Sequence, residues 1–496
     1  MASITLTPQA LGIDPVSRIE GHLKVDAVVD FVNGRQQVVE ARLSGTLFRG
    51  FEKILENRPP LDAPDITQRI CGVCPVSHGL AASMTLEKAA GLVPPPAARV
   101  MRNLVLGSNF LQSHILHFYV LSVLDFVEGP AMPPWQPSWT SDKRITGANA
   151  SRLVNNYVRA LDIRRKCHEM GAIFGGKLPH PPAFVPGGFT TTPRATRLKL
   201  FQQYLAEIRA FIHDVYLPDV DLVASYYPDY YQIGGGPRNL LAYGVFDLDD
   251  AGTVKLFKRG RLRSGSNTVE PVDTAAITER VTASWYAPQT DDLNPAAGET
   301  IPVYPKNGAY SWLKAPRYQQ VPYEVGALAR MRVSGYYQGG ESVLDRHRAR
   351  ALEALRIADA LGGWVRQLSS RQPTYIQYRT PLTGAGVGLT EAPRGALGHW
   401  LKIEGGRTAK YQVVTPTCWN ASPKDAQNQR GPIEQALIGT PVREVDEPVE
   451  VARVIHSFDP CLSCAVHVMR PAENARVFVL GHVHADAEAA CHVHTH

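Results

Sequence analysis

LVLGSNFLQSHILHFYVLS, residues 104–122, places Leu104, Leu111, Ile115, Phe118 and Ser122 at steps of 7, 4, 3 and 4. Apolar spacing of that kind follows one face of an α-helix, so the stretch predicts a long, largely buried helix. Outward from it, Leu355, Ala358, Leu361, Val365 and Leu368 recur at 3, 3, 4 and 3. Helical patterns also fit 151–173, after Ser151, and 194–225. In contrast, LKVDAVVDF (23–31) alternates like a strand and runs into an Asn33-Gly34 turn, so the first strands are expected to form a small hairpin sheet. The region 226–320 is rich in Gly, Pro, Asn and Asp with short β-like pieces such as VKLFKRGRL (254–262), and reads as an irregular insertion packed on the helices. The fold expected is mainly α (α+β): a large multi-helix core with small antiparallel β elements.

Composition agrees with one sizeable globular body. Of 496 residues, 44% are hydrophobic and 20% charged, far from the composition of disordered chains. The balance of 52 basic over 46 acidic side chains leaves +6, with no long basic run, which points away from nucleic acid. The longest apolar candidate for a membrane span, 114–132, is interrupted by His114, His117, Asp125 and Glu128, whereas a span needs about 20 nearly uninterrupted apolar residues. The start has no basic region followed by an apolar one, so no secretory signal is expected. No repeat of about 20–50 residues is present, and no linker marks a domain break. Residues 468–496 stand apart by composition: they hold five of the sixteen histidines (His482, His484, His492, His494, His496) and Cys491.

Seven cysteines are too few for a disulfide scaffold, and four fall into two pairs, Cys71/Cys74 and Cys461/Cys464. In Arg69-Ile70-Cys71-Gly72-Val73-Cys74-Pro75-Val76-Ser77-His78 two thiols can bite one metal, with His78 a helical turn beyond Cys74. Asp459-Pro460-Cys461-Leu462-Ser463-Cys464-Ala465-Val466-His467 repeats the Cys-Cys-His logic. Four thiolates suit zinc, an iron–sulfur cluster or nickel alike. Structural zinc usually staples nearby ligand pairs, yet 387 positions separate Cys74 from Cys461. Dithiol exchange lacks its βαβ context.

Two further segments are ordinary when taken alone. Asp14-Pro15-Val16-Ser17-Arg18-Ile19-Glu20-Gly21-His22 packs four ionisable residues into nine positions and could be a surface loop; Arg49-Gly50-Phe51-Glu52 sets one carboxylate in an apolar run. Together and in this order, however, the four segments resemble the large, catalytic subunit of nickel-iron hydrogenases. Phe174–Pro181 (FGGKLPHP), Glu391-Ala392-Pro393-Arg394-Gly395 and Tyr411–Pro416 (YQVVTP) extend the resemblance over nearly the whole chain.

The resemblance implies that Cys71, Cys74, Cys461 and Cys464 hold nickel, with Cys71 and Cys461 terminal and Cys74 and Cys464 bridging to an iron that carries cyanide and carbon monoxide. Dihydrogen would be split heterolytically, with Cys461 as the proton acceptor. Arg394, beside Pro393, would support the open metal face through charge and hydrogen bonds, because an arginine is a poor resting base. Glu20 would take the proton onward, its pKa raised by partial burial; its ordinary alternative is a salt bridge to Arg18. Glu52, the Val413 carbonyl and His467 match a magnesium site, and His78 and Asp459 match residues that tune the sulfurs and metal-bound ligands. Gln112-Ser113-His114 departs from the pattern, with serine where many relatives carry aspartate. His114 and His117, three apart on a helix, are expected to be core hydrogen-bonding groups rather than a second metal pair.

By the same resemblance, 1–467 is the catalytic body of a precursor and 468–496 an extension removed after His467. Implied partners are an iron–sulfur small subunit that carries the electrons away, a maturation protease and nickel-insertion chaperones; uptake of dihydrogen is the expected direction. Location would be cytoplasmic, or membrane-associated or exported through the partner. A dihydrogen sensor that uses the same site for signalling is the first alternative, against which the extension argues; a structural four-cysteine zinc protein is the second. Gly171–Lys177 imitates a P-loop until Leu178 replaces the required Ser or Thr, and Gly384–Gly388 lacks the third glycine of a dinucleotide fingerprint, so neither a nucleotide nor NAD is expected.

Overall fold

The computed structural model describes residues 8–18, 21–136, 138–461 and the backbone of 477–478. Three strands open the chain: β1 (Gln9–Ile13), β2 (Leu23–Val32) and β3 (Arg35–Gly45) form an antiparallel meander. Asn33 and Gly34 take φ of 50° and 74° in the β2–β3 turn, the left-handed geometry that an Asn-Gly hairpin supplies. Val25, Ala27 and Val29 of β2 are buried, as the alternation requires. Residues 477–478 pair in parallel with β1.

Helices follow: α1 (Phe51–Leu55), α2 (Ala63–Gln68), α3 (Pro75–Ala90), α4 (Pro96–Leu116) and α5 (Gly147–Gly175). Leu104, Leu111, Ile115 and Phe118 are all buried, and α4 packs on α5 and on α9 (Val343–Val365) at the centre of the molecule. The predicted 194–225 helix is present with a difference. α6 (Ala195–Phe211) and α7 (Leu217–Tyr226) are joined by a π-helical turn over residues 212–216. Pro218 lies in the first turn of α7 and offers no N–H, so the wider turn lets one rod continue past a residue that would break an α ladder.

Short antiparallel ladders fill much of 240–318, followed by α8 (Ala327–Val333) and α9. A second meander, β4 (Gly384–Ala392), β5 (Gly395–Glu404) and β6 (Arg407–Val414), then lies against α3. Helices α10 (Pro416–Asn420), α11 (Pro432–Leu437) and α12 (Val449–Ser457) lead to Cys461. The glycines that imitated a dinucleotide fingerprint have a packing role. A Cβ on Gly386 would stand 2.0 Å from the Thr85 carbonyl oxygen, and one on Gly388 2.1 Å from that of Ala81, so only glycine lets β4 lie on the α3 backbone. Among the described residues no helix is long and apolar enough to cross a membrane.

Candidate metal centre

Cys71 follows the end of α2, and Cys74 is the residue that opens α3, with Pro75 in the helical first turn where a missing N–H costs nothing. The turn holds its own geometry through the Cys74 N–H, which donates to Cys71 Sγ at 3.1 Å. The Val73 carbonyl is fixed from α4 by Asn109 Nδ2 (2.9 Å) and Gln112 Nε2 (2.8 Å). From the other end of the chain, Cys461 arrives with its N–H on Thr417 Oγ1 at 3.2 Å. Cys71 Sγ then lies 2.8 Å from Cys74 Sγ and 3.5 Å from Cys461 Sγ. None of the three is in a disulfide among the described residues, and all are buried beside Leu116, Leu121 and Ala392. Burial pushes the Cys71 thiol well above its ordinary range, so a thiolate here requires positive charge close by.

Arg394 supplies part of it. The β4–β5 connection carries its guanidinium to the sulfurs, and Nε donates to the Asp459 carbonyl at 2.9 Å. Nη2 stands 3.0 Å from Asp459 Oδ1 as an ion pair, yet neither Nη atom has a partner in hydrogen-bond geometry among the described residues. Burial opposes the charge of Arg394, but Asp459 and the thiols of Cys461, Cys74 and Cys71 outweigh it and hold the guanidinium protonated. Asp459 sits in the left-handed region at φ 58°, and burial raises its pKa. Pro393 is locked by a group that sequence reading did not pick out. Arg330 of α8, fully buried, donates to the Ala392 and Pro393 carbonyls at 3.0 and 2.8 Å, and pairs with Glu391 (2.9 Å) and Glu353 (2.6 Å).

His78, in the first turn of α3, hydrogen-bonds through Nδ1 to His399 Nε2 at 3.2 Å, and His399 reaches the Tyr411 hydroxyl at 2.8 Å. Burial lowers the His78 pKa to about 3, so its ring is neutral. His114 bonds Glu353 at 2.8 Å and His117 the His456 carbonyl at 2.7 Å, the core roles expected of them. Ser113 is fully buried, and its hydroxyl has no partner among the described residues.

Glu52 and Val413 also come together. They line a cavity of about 40 Å³ with Glu279, Lys314 and Cys418. Burial raises the Glu52 pKa, against the opposing charge of Lys314, which itself bonds Glu279 at 3.2 Å and Gln412 at 3.0 Å. Glu279 and Lys314 were missed because each is an isolated charge in the irregular region 226–320; Gln412 stood inside the quoted YQVVTP segment without a role. Glu20, Cys464 and His467 lie outside the described residues. Arg18, the ordinary partner considered for Glu20, pairs with Asp125 at 2.5 Å.

The donor set fits a soft or borderline metal: converging buried sulfurs, apolar walls, and guanidinium N–H groups facing the site without acceptors. The family model described as "Nickel-dependent hydrogenase" matches residues 49–146, 134–343 and 337–467, and a shorter one described as "HoxL-like" matches 10–44. The chain belongs to the nickel-dependent hydrogenases. It is 41% identical to the periplasmic [NiFeSe] hydrogenase large subunit of Desulfomicrobium baculatum, over 92% of this chain and 95% of that one. To the hydrogenase-2 large chain of Escherichia coli K12 it is 32% identical, over 95% and 99%. The reduced, active Ni-Fe-Se hydrogenase structure from Desulfomicrobium baculatum superposes with a TM-score of 0.89 at 41% identity, covering 92% of this chain and all of that one. This hydrogenase is therefore an oxidoreductase with the large-subunit fold. Although the two Desulfomicrobium baculatum relatives are named for selenium, it carries cysteine at all four predicted metal-binding positions.

Proposed function

We propose that this hydrogenase is the catalytic subunit that cleaves dihydrogen heterolytically in the uptake direction and passes electrons to an iron–sulfur small subunit. The observation that carries the reading is the meeting of Cys71 and Cys74 with Cys461, across the whole length of the chain, beneath the guanidinium of Arg394. Those three thiols and Cys464 would hold nickel, and Cys74 and Cys464 would share an iron bearing cyanide and carbon monoxide. When bound, this centre supplies the redox chemistry that side chains cannot.

The residues around it have separable tasks. Arg394 keeps a fixed positive charge over the sulfurs and offers N–H groups to anionic ligands on the centre, while Asp459 and the Arg330 clamp orient it. Cys461 Sγ accepts the proton, because a thiolate is a base at this pH range and a guanidinium held in its cationic form is not. Glu20 moves the proton outward. Glu52 and the Val413 carbonyl, with His467, would hold magnesium; a carboxylate and a carbonyl lining one small cavity are the hard oxygen donors that such an ion prefers. His78 and Asp459 act through the sulfurs and ligands they neighbour. Residues 468–496 are read as an extension removed by a maturation protease after His467, once chaperones have delivered nickel. Within the relatives' range of names, "uptake" and "periplasmic" favour oxidation of dihydrogen by a subunit that travels with its partner.

Infrared absorption of the purified complex between about 1900 and 2100 wavenumbers, taken with nickel, iron and zinc counts, tests the reading. Carbonyl and cyanide bands with one nickel per chain are expected; zinc without bands would overturn it in favour of a structural site. Steady turnover with an artificial electron acceptor separates an enzyme from a sensor. Glu20→Gln should cut proton exchange and turnover together while nickel and iron stay bound, and loss of metal in that variant would make Glu20 structural instead.

A further inference from the structure

A second cavity, of about 520 Å³, opens toward the C-terminal end of α3, away from Cys74, between α3, α4, β4 and the ladder around residues 245–257. Its lining contains five cationic and three anionic side chains, and the anions are already taken. Arg102 makes a two-pronged pair with Glu87 (2.6 and 3.1 Å), Arg99 pairs with Asp250 (3.0 Å), and Lys255 pairs with Asp247. Lys88, in the last turn of α3, and Arg259 are left, and neither has a hydrogen bond or ion pair among the described residues. The carboxylate nearest Arg259 in charge terms is Glu391, which Arg330 already neutralises.

The rest of the wall is apolar or neutral. Met84, Val93, Phe246 and Leu389 line it, Val93 being 65% exposed at the rim. Tyr243 forms part of the floor, fully buried; its hydroxyl reaches no hydrogen-bond partner, the nearby Trp419 indole N–H stopping short of bonding geometry. Small-molecule sites are concave, with an apolar wall and convergent polar groups; this cavity has both and is more heavily charged than most. Two unpaired cations beside a free phenol add a sign to it.

We propose that this cavity binds a small organic anion, an acid with an apolar body, whose carboxylate or equivalent group sits between Lys88 and Arg259 while the body lies against Met84, Phe246 and Leu389. Such an occupant touches the C-terminal half of α3, the helix that Cys74 opens, and meets β4 at Leu389, in the half of the strand that leads to Arg394. It is therefore placed to bias the metal centre without entering it.

Calorimetric titration of the intact purified complex with 3-phenylpropionate, and separately with the neutral 3-phenylpropan-1-ol, tests the proposal. One equivalent of the acid should bind per chain, at least tenfold more tightly than the alcohol. Raising salt from about 50 to 500 mM should weaken the acid several-fold and leave the alcohol unaffected. Lys88→Gln with Arg259→Gln should bring the acid down to the affinity of the alcohol without moving the thermal midpoint, since both side chains are exposed and unpaired. Equal binding of acid and alcohol, an unchanged affinity in the double variant, or no binding of the acid to the complex would each overturn it.

Discussion

His347 is the residue whose burial is hardest to account for by hydrogen bonding. It stacks on His117 at 5.4 Å between ring centroids and 26°, with Phe118 and Phe126 edge-on, and neither ring nitrogen has a partner among the described residues. Burial lowers its pKa to about 3; Arg350 and Arg346 push the same way, and Asp125 opposes them. His78 is lowered to about 3 and His114 to about 4 by the same cause, the latter against the pull of Glu353. These rings are neutral in the fold and titrate near 6.5 in the unfolded chain. Their folded pKa values are depressed, so the unfolded state binds more protons below about pH 6.5 and stability falls as pH drops from there toward the folded values. Each such histidine contributes a slope of about 1.4 kcal/mol per pH unit once below its unfolded pKa. The apparent thermal midpoint is thus expected to decline between about pH 6.5 and 5, before free carboxylates titrate. His347→Phe keeps the stack and removes one titrating ring, so its decline should be shallower; an equal slope would show that the ring is charged or hydrated in the fold.

At the scale of elements, α3 on β4 joins the fold to the chemistry, because the two run antiparallel and at their shared end Cys74 opens α3 and β4 leads to Arg394. Gly388→Ala would drive a methyl to 2.1 Å from the Ala81 carbonyl oxygen, where the backbone on both sides must give. The expected cost is at least about 1–3 kcal/mol, typical of overpacking, with bound nickel lost in step because Cys74 and Arg394 move apart. A thermal midpoint read alongside metal content checks this; a lowered midpoint with full nickel would uncouple the element from the site. The sequence made the elements of the fold legible unequally. Periodicity found α4, α5 and α9, since a helix buried on one face writes its contacts at steps of three and four. It found β2 through alternation and Asn33-Gly34 through the left-handed turn they supply. The β4 strand was hidden, because its glycines answer to a helix backbone about 300 positions earlier in the chain, and spacing carries no trace of that. The same reason divides the site: Cys71, Cys74 and Cys461 announce themselves as chelating pairs, whereas Arg330, Glu353, Glu279 and Lys314 are single charges that gain meaning only from partners far away in sequence. His399 is likewise defined by His78 and Tyr411 rather than by its own neighbours.

Over the whole molecule, the centre requires that both ends of the chain stay closed on the helical core, and a buried ionic tie performs that closure. Arg18, from the segment after β1, meets Asp125 at 2.5 Å; the other oxygen of Asp125 meets His456 of α12 at 2.6 Å, and His456 Nε2 returns to the Val16 carbonyl at 2.8 Å. One carboxylate therefore links the N-terminal segment, the end of the α4 rod and the helix that delivers Cys461. Burial alone would raise the pKa of Asp125, but Arg18 and His456 outweigh it and hold the carboxyl well below its usual range, so its contribution to stability is full above about pH 4 and declines as pH falls from there toward the folded value, while the tie itself stays ionised in the fold. Removing one partner of a buried pair strands the other charge, at a cost of about 3–5 kcal/mol. Arg18→Met should accordingly lower the unfolding midpoint and, because α12 loses its anchor, reduce nickel bound per chain even though no ligand has changed. Arg18→Lys keeps the charge but not the second N–H that reaches the Leu121 carbonyl, so an intermediate nickel content is expected. Metal analysis of the two variants against the parent decides the matter: full nickel in a destabilised Arg18→Met protein would mean that the C-terminal end is held at the thiols by Thr417 and Arg394 alone, and that closure of the chain and assembly of the centre are separate events.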